Sequence, residues 1–145
     1  MATTAQFVST PIVDIIQIGL TANSSRTGAG TVGNDLFLVC SGPTFSAGAG
    51  IGKRITRGLV HGVSGTTAGI IRFFYSPDSG TTRRLILEKP VTTTVVSSTA
   101  SSYRSEIPEI IGMVLPGVSG ANAHQIYAAT HVGDLYTIMI ESGTL

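Results

Sequence analysis

The chain has 145 residues, one cysteine and a formal net charge of +1, and only 12% of its residues are charged, against about 25% in ordinary soluble domains. A near-neutral chain has no broad basic surface to neutralise phosphates, so we expect no nucleic-acid partner. One cysteine excludes an intrachain disulfide framework, and the length predicts one domain with a single core. Because few surface charges leave little repulsion between copies, we expect partners to cover much of the surface. The alternative is a solvent-exposed surface rich in Ser, Thr and Gly.

The N-terminal residues 1–11 are polar and small and end at Pro11. They predict a flexible N-terminal arm, followed by a single domain over residues 12–145. The start of the chain has neither the basic residues nor the apolar run of a signal peptide, and residues 110–115 are far short of the ~20 apolar residues that span a bilayer. We therefore expect a soluble protein that is made in the cytoplasm and has no membrane partner.

Short β-branched and aromatic runs alternate with turn residues along the rest of the chain, and helical periodicity is almost absent. The predicted strands are residues 12–18, 35–40, 53–63, 70–75, 83–89, 101–107, 125–130 and 135–141. Residues 110–115 fit either a short helical turn or the start of a strand. Residues 92–102 fit an exposed strand, a connection or a disordered linker. About eight short strands predict an all-β fold, an antiparallel β-sandwich or barrel.

The clearest local prediction is a β-hairpin of residues 70–75 and 83–89, joined by a turn rich in Pro, Asp, Ser and Gly. Alternation puts Ile71, Phe73 and Tyr75 on one face with Leu85, Leu87 and Val91. The opposite face, which also carries Glu88, is half apolar and is our candidate subunit interface: Ile70, Arg72, Phe74, Arg84 and Ile86. Residues 131–134 predict a second hairpin between the last two strands.

Each match to a known chemical motif lacks a neighbouring element or a residue that the motif requires. Residues 28–33 match the dinucleotide fingerprint, but a strand-like run follows them where a helix is needed. Residues 48–54 lack the Ser or Thr that ends a P-loop. The three histidines are scattered, and Cys40 fits a small buried hydrophobe. We predict no catalytic, cofactor-binding or metal site; an enzyme would need a site assembled only in three dimensions.

Residues 66–75, followed after a turn by residues 84–88, resemble a pattern that recurs in small structural proteins of tailed bacteriophages. The pattern includes residues 21–23 with Arg26, Gly28, Gly30 and Thr31, and later residues 114–116 and 127–130. These matches run from about residue 21 to residue 140, and in them the chain resembles phage head decoration, or cement, proteins. It departs from the pattern in a longer loop at residues 41–52 and an insertion at residues 107–113.

This resemblance implies a jelly-roll-like β-sandwich that forms a homotrimer on the outer surface of the virion capsid. Such a trimer binds the major capsid protein and ties its subunits together, without enzymatic activity. The alternative is a phage tail or fibre-associated module that binds a receptor such as a carbohydrate. Against carbohydrate binding stand an aromatic content of 6% and the absence of Trp, the best residue for stacking on sugar rings.

Overall fold

The computed structural model describes residues 10–45 and 52–145, whose regular secondary structure is eleven strands and one short 3-10 helix. The eight longer strands are β1 (Thr10–Ile18), β2 (Phe37–Ser41), β4 (Lys53–Gly62), β5 (Gly69–Ser76), β6 (Arg84–Val91), β7 (Arg104–Glu106), β10 (Gln125–Thr130) and β11 (Tyr136–Thr144). Three two-residue strands lie between them, β3 (Thr44–Phe45), β8 (Val114–Leu115) and β9 (Val118–Ser119). The described ranges contain no helix long and apolar enough to cross a membrane.

Nine of the strands form two antiparallel sheets, one in the order β1-β11-β4-β7, with β8 also on β4, and the other in the order β2-β10-β5-β6. Strands β3 and β9 form a short parallel pair. Among the eight longer strands the first pairs with the last, the second with the seventh, the third with the sixth and the fourth with the fifth. These nested ladders are those of one long hairpin rolled onto itself, and the β4–β11 and β5–β10 ladders then close the two sheets. This is the jelly-roll topology. The predicted all-β sandwich is confirmed.

The core lies between the two sheets and is filled by alternate residues of each strand. The five-stranded sheet contributes fully buried Val60, Ile138 and Ile140, and the four-stranded sheet contributes Ile71, Phe73 and Ile126, among others. Each of these side chains is flanked in sequence by residues that point to the opposite face, as period-two alternation requires.

The N-terminal strand begins at Thr10, so Thr10 and Pro11 of the predicted arm belong to β1. The remaining arm residues, 1–9, lie outside the described residues, as do residues 46–51 of the long loop.

The predicted second hairpin is wrong. Residues 131–135 do reverse the chain, but β10 and β11 belong to different sheets. Both edges of β10 are paired, to β2 and to β5, and both edges of β11 are paired, to β1 and to β4. Turn residues indicate that the chain changes direction. They do not indicate whether the two flanking strands pair with each other or belong to different sheets.

The first hairpin is present, but a bulge in β6 changes its faces. Phe73 lies opposite Leu87 and Phe74 lies opposite Leu85, so Ile86 is an extra residue in the ladder. Leu85 therefore shares the outer face with Phe74, and the predicted common face of Leu85 and Leu87 is wrong. Strict alternation holds in a regular strand only, and one inserted residue reverses it.

Both structures that the sequence left open for residues 110–115 are present, one within the insertion at residues 107–113 and one directly after it. A 3-10 helix covers Pro108–Ile110, and β8 follows. Ile107 and Ile110 are buried against β4 at Gly58, where a Cβ would lie 3.0 Å from Ile110 Cδ1. The glycine therefore lets this segment close against the sheet.

Candidate interaction surfaces

Phe74, the centre of the predicted interface, is fully buried by its own chain. It forms a second apolar cluster on the outer face of the four-stranded sheet, with Leu36, Tyr127 and Ala129. Leu36 belongs to the connection between β1 and β2, residues 19–36, which we call the covering loop. One face of this sheet thus packs on the main core, and the covering loop lies against the other.

Gly28 and Arg83 fix the covering loop onto the sheet. Gly28 has a φ of +78°, and a Cβ there would lie 2.6 Å from Arg83 Cβ and 3.3 Å from Phe74 Cδ1. Arg83 Nη1 donates a hydrogen bond of 2.9 Å to the Gly28 carbonyl. The Arg83 guanidinium also lies 5.1 Å from the centroid of the Tyr127 ring, in cation–π range. Only glycine allows the loop backbone this close to the hairpin.

The same loop explains the glycine-rich run at residues 28–33. Asn23 Nδ2 donates to the carbonyls of Ala29 and Asp35, and Thr31 N donates to Asp35 Oδ1 over 2.6 Å. A Cβ at Gly30 would lie 2.6 Å from Asn23 Nδ2. Strand β2 follows the run, so the strand expected after it is confirmed. These residues close a loop onto a sheet, and no helix N-terminus follows them to hold a pyrophosphate.

Arg72 is held beneath the covering loop by one carboxylate. Its side chain is 6% exposed, and Arg72 Nε lies 2.9 Å from Glu88 Oε1. Arg26, from the covering loop, places Nη2 3.3 Å from the same oxygen. Two guanidinium groups therefore share Glu88, and the buried Nη1 of Arg72 has no hydrogen-bond partner in the described part of the chain.

The five residues of the predicted interface therefore separate into two sets. Phe74 and Arg72 lie under the covering loop, whereas Ile70 is half-buried, and Ile86 and Arg84 are exposed. Arg84 pairs with Tyr75, which packs on the main core, so Arg84 does not share the face of Arg72. Contact between subunits through these residues stays a prediction, and Ile70, Arg84 and Ile86 are the ones that a partner can reach.

One end of the sandwich forms a second surface, which sequence reasoning missed. Ile18 pairs with Tyr136, Tyr136 pairs with Gly62, and His61 pairs with Arg104, so these strand ends lie together. The covering loop and residues 63–68, 92–103 and 131–135 start or finish there. This surface, the loop end, exposes the apolar side chains Leu20, Val63, Val95 and Val96, with Leu20 74% and Val95 82% exposed.

Hydrogen bonds tie the loops of the loop end together. Asp134 Oδ2 accepts the Thr67 N–H over 2.6 Å. Thr66 and Thr94 form an isolated antiparallel bridge and a hydroxyl contact of 2.8 Å, and Ser102 Oγ donates to the Ser64 carbonyl. Residues 92–102 are therefore a fixed connection, one of the three alternatives left open. In the sequence, this surface was indicated by the apolar pair Val95-Val96, which lies within an uncharged run of Ser and Thr.

Charge is sparse in three of the four connections at the loop end, whereas the covering loop carries Arg26 and Asp35. Residues 63–68 and 92–103 contain no charged side chain, and residues 131–135 contain only Asp134. Its carboxylate is already engaged with the Thr67 amide. Exposed apolar residues without surrounding charge are typical of the centre of a protein–protein interface.

Ionisable groups near the main core are engaged in structural contacts. Lys53 Nζ lies 2.9 Å from Asp14 Oδ2 and donates to the Ser41 carbonyl, which ties β4 to β1 and β2. The Cys40 thiol donates to the same Asp14 oxygen over 3.7 Å, and burial raises its pKa to about 11. A thiol with so high a pKa is a poor nucleophile. His124 bonds the Tyr75 hydroxyl through Nδ1.

No protein-family model and no curated protein sequence matches this chain. Among solved structures, it is similar to a chain of the cyanophage Pam1 capsid asymmetric unit, with a TM-score of 0.45 and 14% identity over 100% of this chain and 92% of that one. It is also similar to a chain of infectious bursal disease virus, Gt strain, with a TM-score of 0.37 and 12% identity over 99% of this chain and 34% of that one. At these scores and identities, neither likeness carries an argument about function.

Proposed function

We propose that this chain is a non-enzymatic viral structural protein, a head decoration or cement protein of a tailed bacteriophage. A homotrimer binds the outer surface of the capsid and stabilises contacts between major capsid subunits. The loop end is the surface that faces the capsid. The proposal extends the resemblance found in the sequence with a surface suited to that role.

The observation that carries the proposal is the exposed apolar loop end, where three of the four connections carry almost no charge. Leu20, Val63 and Val95 come from three different connections and are exposed at the same end of the sandwich. Hydrogen bonds hold these connections in place, so little conformational entropy is lost when a partner binds. A cement protein has no reaction to perform and needs an ordered surface that excludes water against its partner.

The size of the expected contact is compatible with specific binding. A specific interface buries roughly 1,200 to 2,000 Å² in total, and a trimer presents three loop ends to a symmetric lattice. A protein that binds the assembled lattice and not its free subunits stabilises that lattice by mass action. Heads that carry the protein should therefore resist heat or chelation better than heads that lack it.

Copy number in the virus particle tests the proposed role. Quantitative mass spectrometry of purified virions should find this chain at a stoichiometry comparable to the major capsid protein. A few copies per particle would instead support the alternative, a tail or fibre-associated receptor-binding module, which should also bind host cells. Absence from the virion would contradict both roles.

Co-sedimentation with purified heads that lack the protein tests the loop end. Wild-type protein should pellet with heads, and Val95→Asp should not, since a carboxylate in an apolar interface loses its water without gaining a partner. Val95 is 82% exposed, so the free protein should keep its fold. Ile111→Asp is the matched control, because Ile111 is 49% exposed and follows the 3-10 helix, outside the loop end and the sheet faces. Equal pelleting of Val95→Asp and wild type would contradict the assignment of the loop end.

A further inference from the structure

A second apolar surface lies on the outer face of the five-stranded sheet. Val13 and Ile15 of β1 point away from the core and are 54% and 65% exposed. Ile15 lies opposite Met139 on β11, and Met139 lies opposite Leu59 on β4, so an apolar row crosses three strands. We call Val13, Ile15, Leu59 and Met139 the β1 patch.

The two sheets differ in what covers their outer faces. On the four-stranded sheet the covering loop buries Phe74 completely. On the five-stranded sheet Ile15 keeps about two thirds of its surface exposed. A single exposed apolar residue needs no explanation, but adjacent exposed apolar residues in register with a half-buried row indicate a contact surface.

The edge beside the β1 patch is also free. Strand β1 is nine residues long and pairs with β11 on one side only. Among the described residues, no backbone hydrogen bond joins its other edge to any segment. Exposed edges are usually protected by lysine, proline or a bulge. Here Pro11 protects only the beginning of the strand, and Val13 and Ile15 occupy its middle.

Charges around the β1 patch are balanced in sign. Arg57 Nη2 lies 2.9 Å from Glu106 Oε1, and Arg57 Nη1 lies 3.7 Å from Glu141 Oε1. Arg104, which pairs with His61 on the same face, adds a second positive charge. Two arginines and two glutamates surround an apolar centre, so the surface is complementary to another copy of itself, whereas a strongly charged partner would gain little from it.

We propose that a second copy of this chain binds the β1 patch, and that contact between copies runs through Val13, Ile15 and the free edge of β1. Around a three-fold axis each contact is heterologous, so the Val13 and Ile15 edge of one patch meets a different part of the patch on the next copy, with Arg57 and Glu141 at the rim of the contact. This inference rests on the homotrimer of the proposed function and is independent of capsid binding. It places the contact on the sheet opposite to the one chosen from the sequence.

The test compares the two sheet faces by light scattering with size exclusion over a series of protein concentrations. Ile15→Glu should weaken self-association by roughly thirtyfold or more and shift the mass to that of a monomer, as expected for an interface centre. Ile86→Glu, on the four-stranded sheet, is the matched control and should keep the wild-type mass. Circular dichroism should show that both variants are folded, since both side chains are exposed.

The other outcomes bear on this inference and on the proposed function in different ways, and an oligomer that survives Ile15→Glu would overturn the inference. Loss of the oligomer in Ile86→Glu but not in Ile15→Glu would overturn the inference and leave the trimer standing. A wild-type monomer at every concentration would overturn both the inference and the proposed homotrimer. An oligomer that depends on Ile15 but does not pellet with heads would support the inference and contradict the decoration role.

Discussion

Truncation of Phe74 to alanine tests whether the predicted interface residue belongs to the chain's own core. The ring is fully buried among Leu36, Tyr127 and Ala129, with Gly28 directly above it. Removing a buried phenylalanine side chain costs about 3–5 kcal/mol, including the cavity left behind. A domain of this kind is stable by about 5–15 kcal/mol, so Phe74→Ala should remain folded but lose a large part of its stability.

Urea unfolding followed by circular dichroism measures this loss. The urea concentration at the midpoint should fall, while the slope of the unfolding free energy against urea concentration should stay the same. The melting temperature should drop by roughly 10 °C or more. Ile86→Ala is the matched control on the neighbouring strand; Ile86 is 40% exposed, so the change should be about 0.5 kcal/mol or less. Measurements at several protein concentrations separate a loss of folding stability from a loss of association.

The covering loop gives a second measurement of the same effect. Arg26 is an exposed trypsin site within the loop, and cleavage there needs the loop to open locally. Phe74→Ala should speed this cleavage, because the loop loses the ring on which it packs. If Phe74→Ala dissociated the oligomer while the stability of the monomer and the cleavage at Arg26 stayed unchanged, burial of Phe74 by its own chain would be refuted.

Three further changes test the contacts that hold the sandwich. Gly28→Ala should destabilise the fold by about 1–3 kcal/mol in urea, because φ is +78° and the new Cβ meets Arg83 at 2.6 Å; an unchanged midpoint would contradict the close approach. Asp14→Ala should lower the free energy of unfolding by about 2 kcal/mol, less than the loss of a fully buried ion pair, because Asp14 is 36% exposed. Lys53→Met should lower it by less, since only Asp14→Ala leaves a buried ammonium group without its carboxylate. A larger loss for Lys53→Met in urea unfolding would contradict this. Burial raises the pKa of the Cys40 thiol from 9.0 to about 11, so its contribution to stability is complete below pH 9.0 and is lost as the pH rises through about 11, because the unfolded thiol loses its proton first. Thermal unfolding against pH should show this fall and Cys40→Ala should reduce it, leaving the part due to Tyr136, whose pKa burial raises to about 12.

Local pattern was sufficient to predict where the strands lie, because alternation and turn residues act within a few positions. Strand β10 was predicted at residues 125–130 and is observed as Gln125–Thr130. Pairing depends on residues far apart in the chain, and the sequence pattern around residues 131–134 is the same for a hairpin as for a crossing between sheets. The bulge at Ile86 is equally invisible, since nothing in the run from Arg84 to Lys89 distinguishes an inserted residue from a regular one.

The candidate interface shows the limit of reading a strand's faces from its residues. A half-apolar face such as that of Ile70, Arg72 and Phe74 requires cover, but the pattern does not say whether a partner or the same chain supplies it. Here the covering loop supplies it, through a glycine that lets the backbone reach the ring. Val13 and Ile15 gave no such signal, because β1 is apolar at nearly every position and its two faces look alike in the sequence. Ile15 and the buried Ile18 lie on opposite faces of β1, and only the packing of the two sheets shows which face is inside. The exposed face lies on an edge strand, which is why we propose the outer face of the five-stranded sheet as the site for contact between copies.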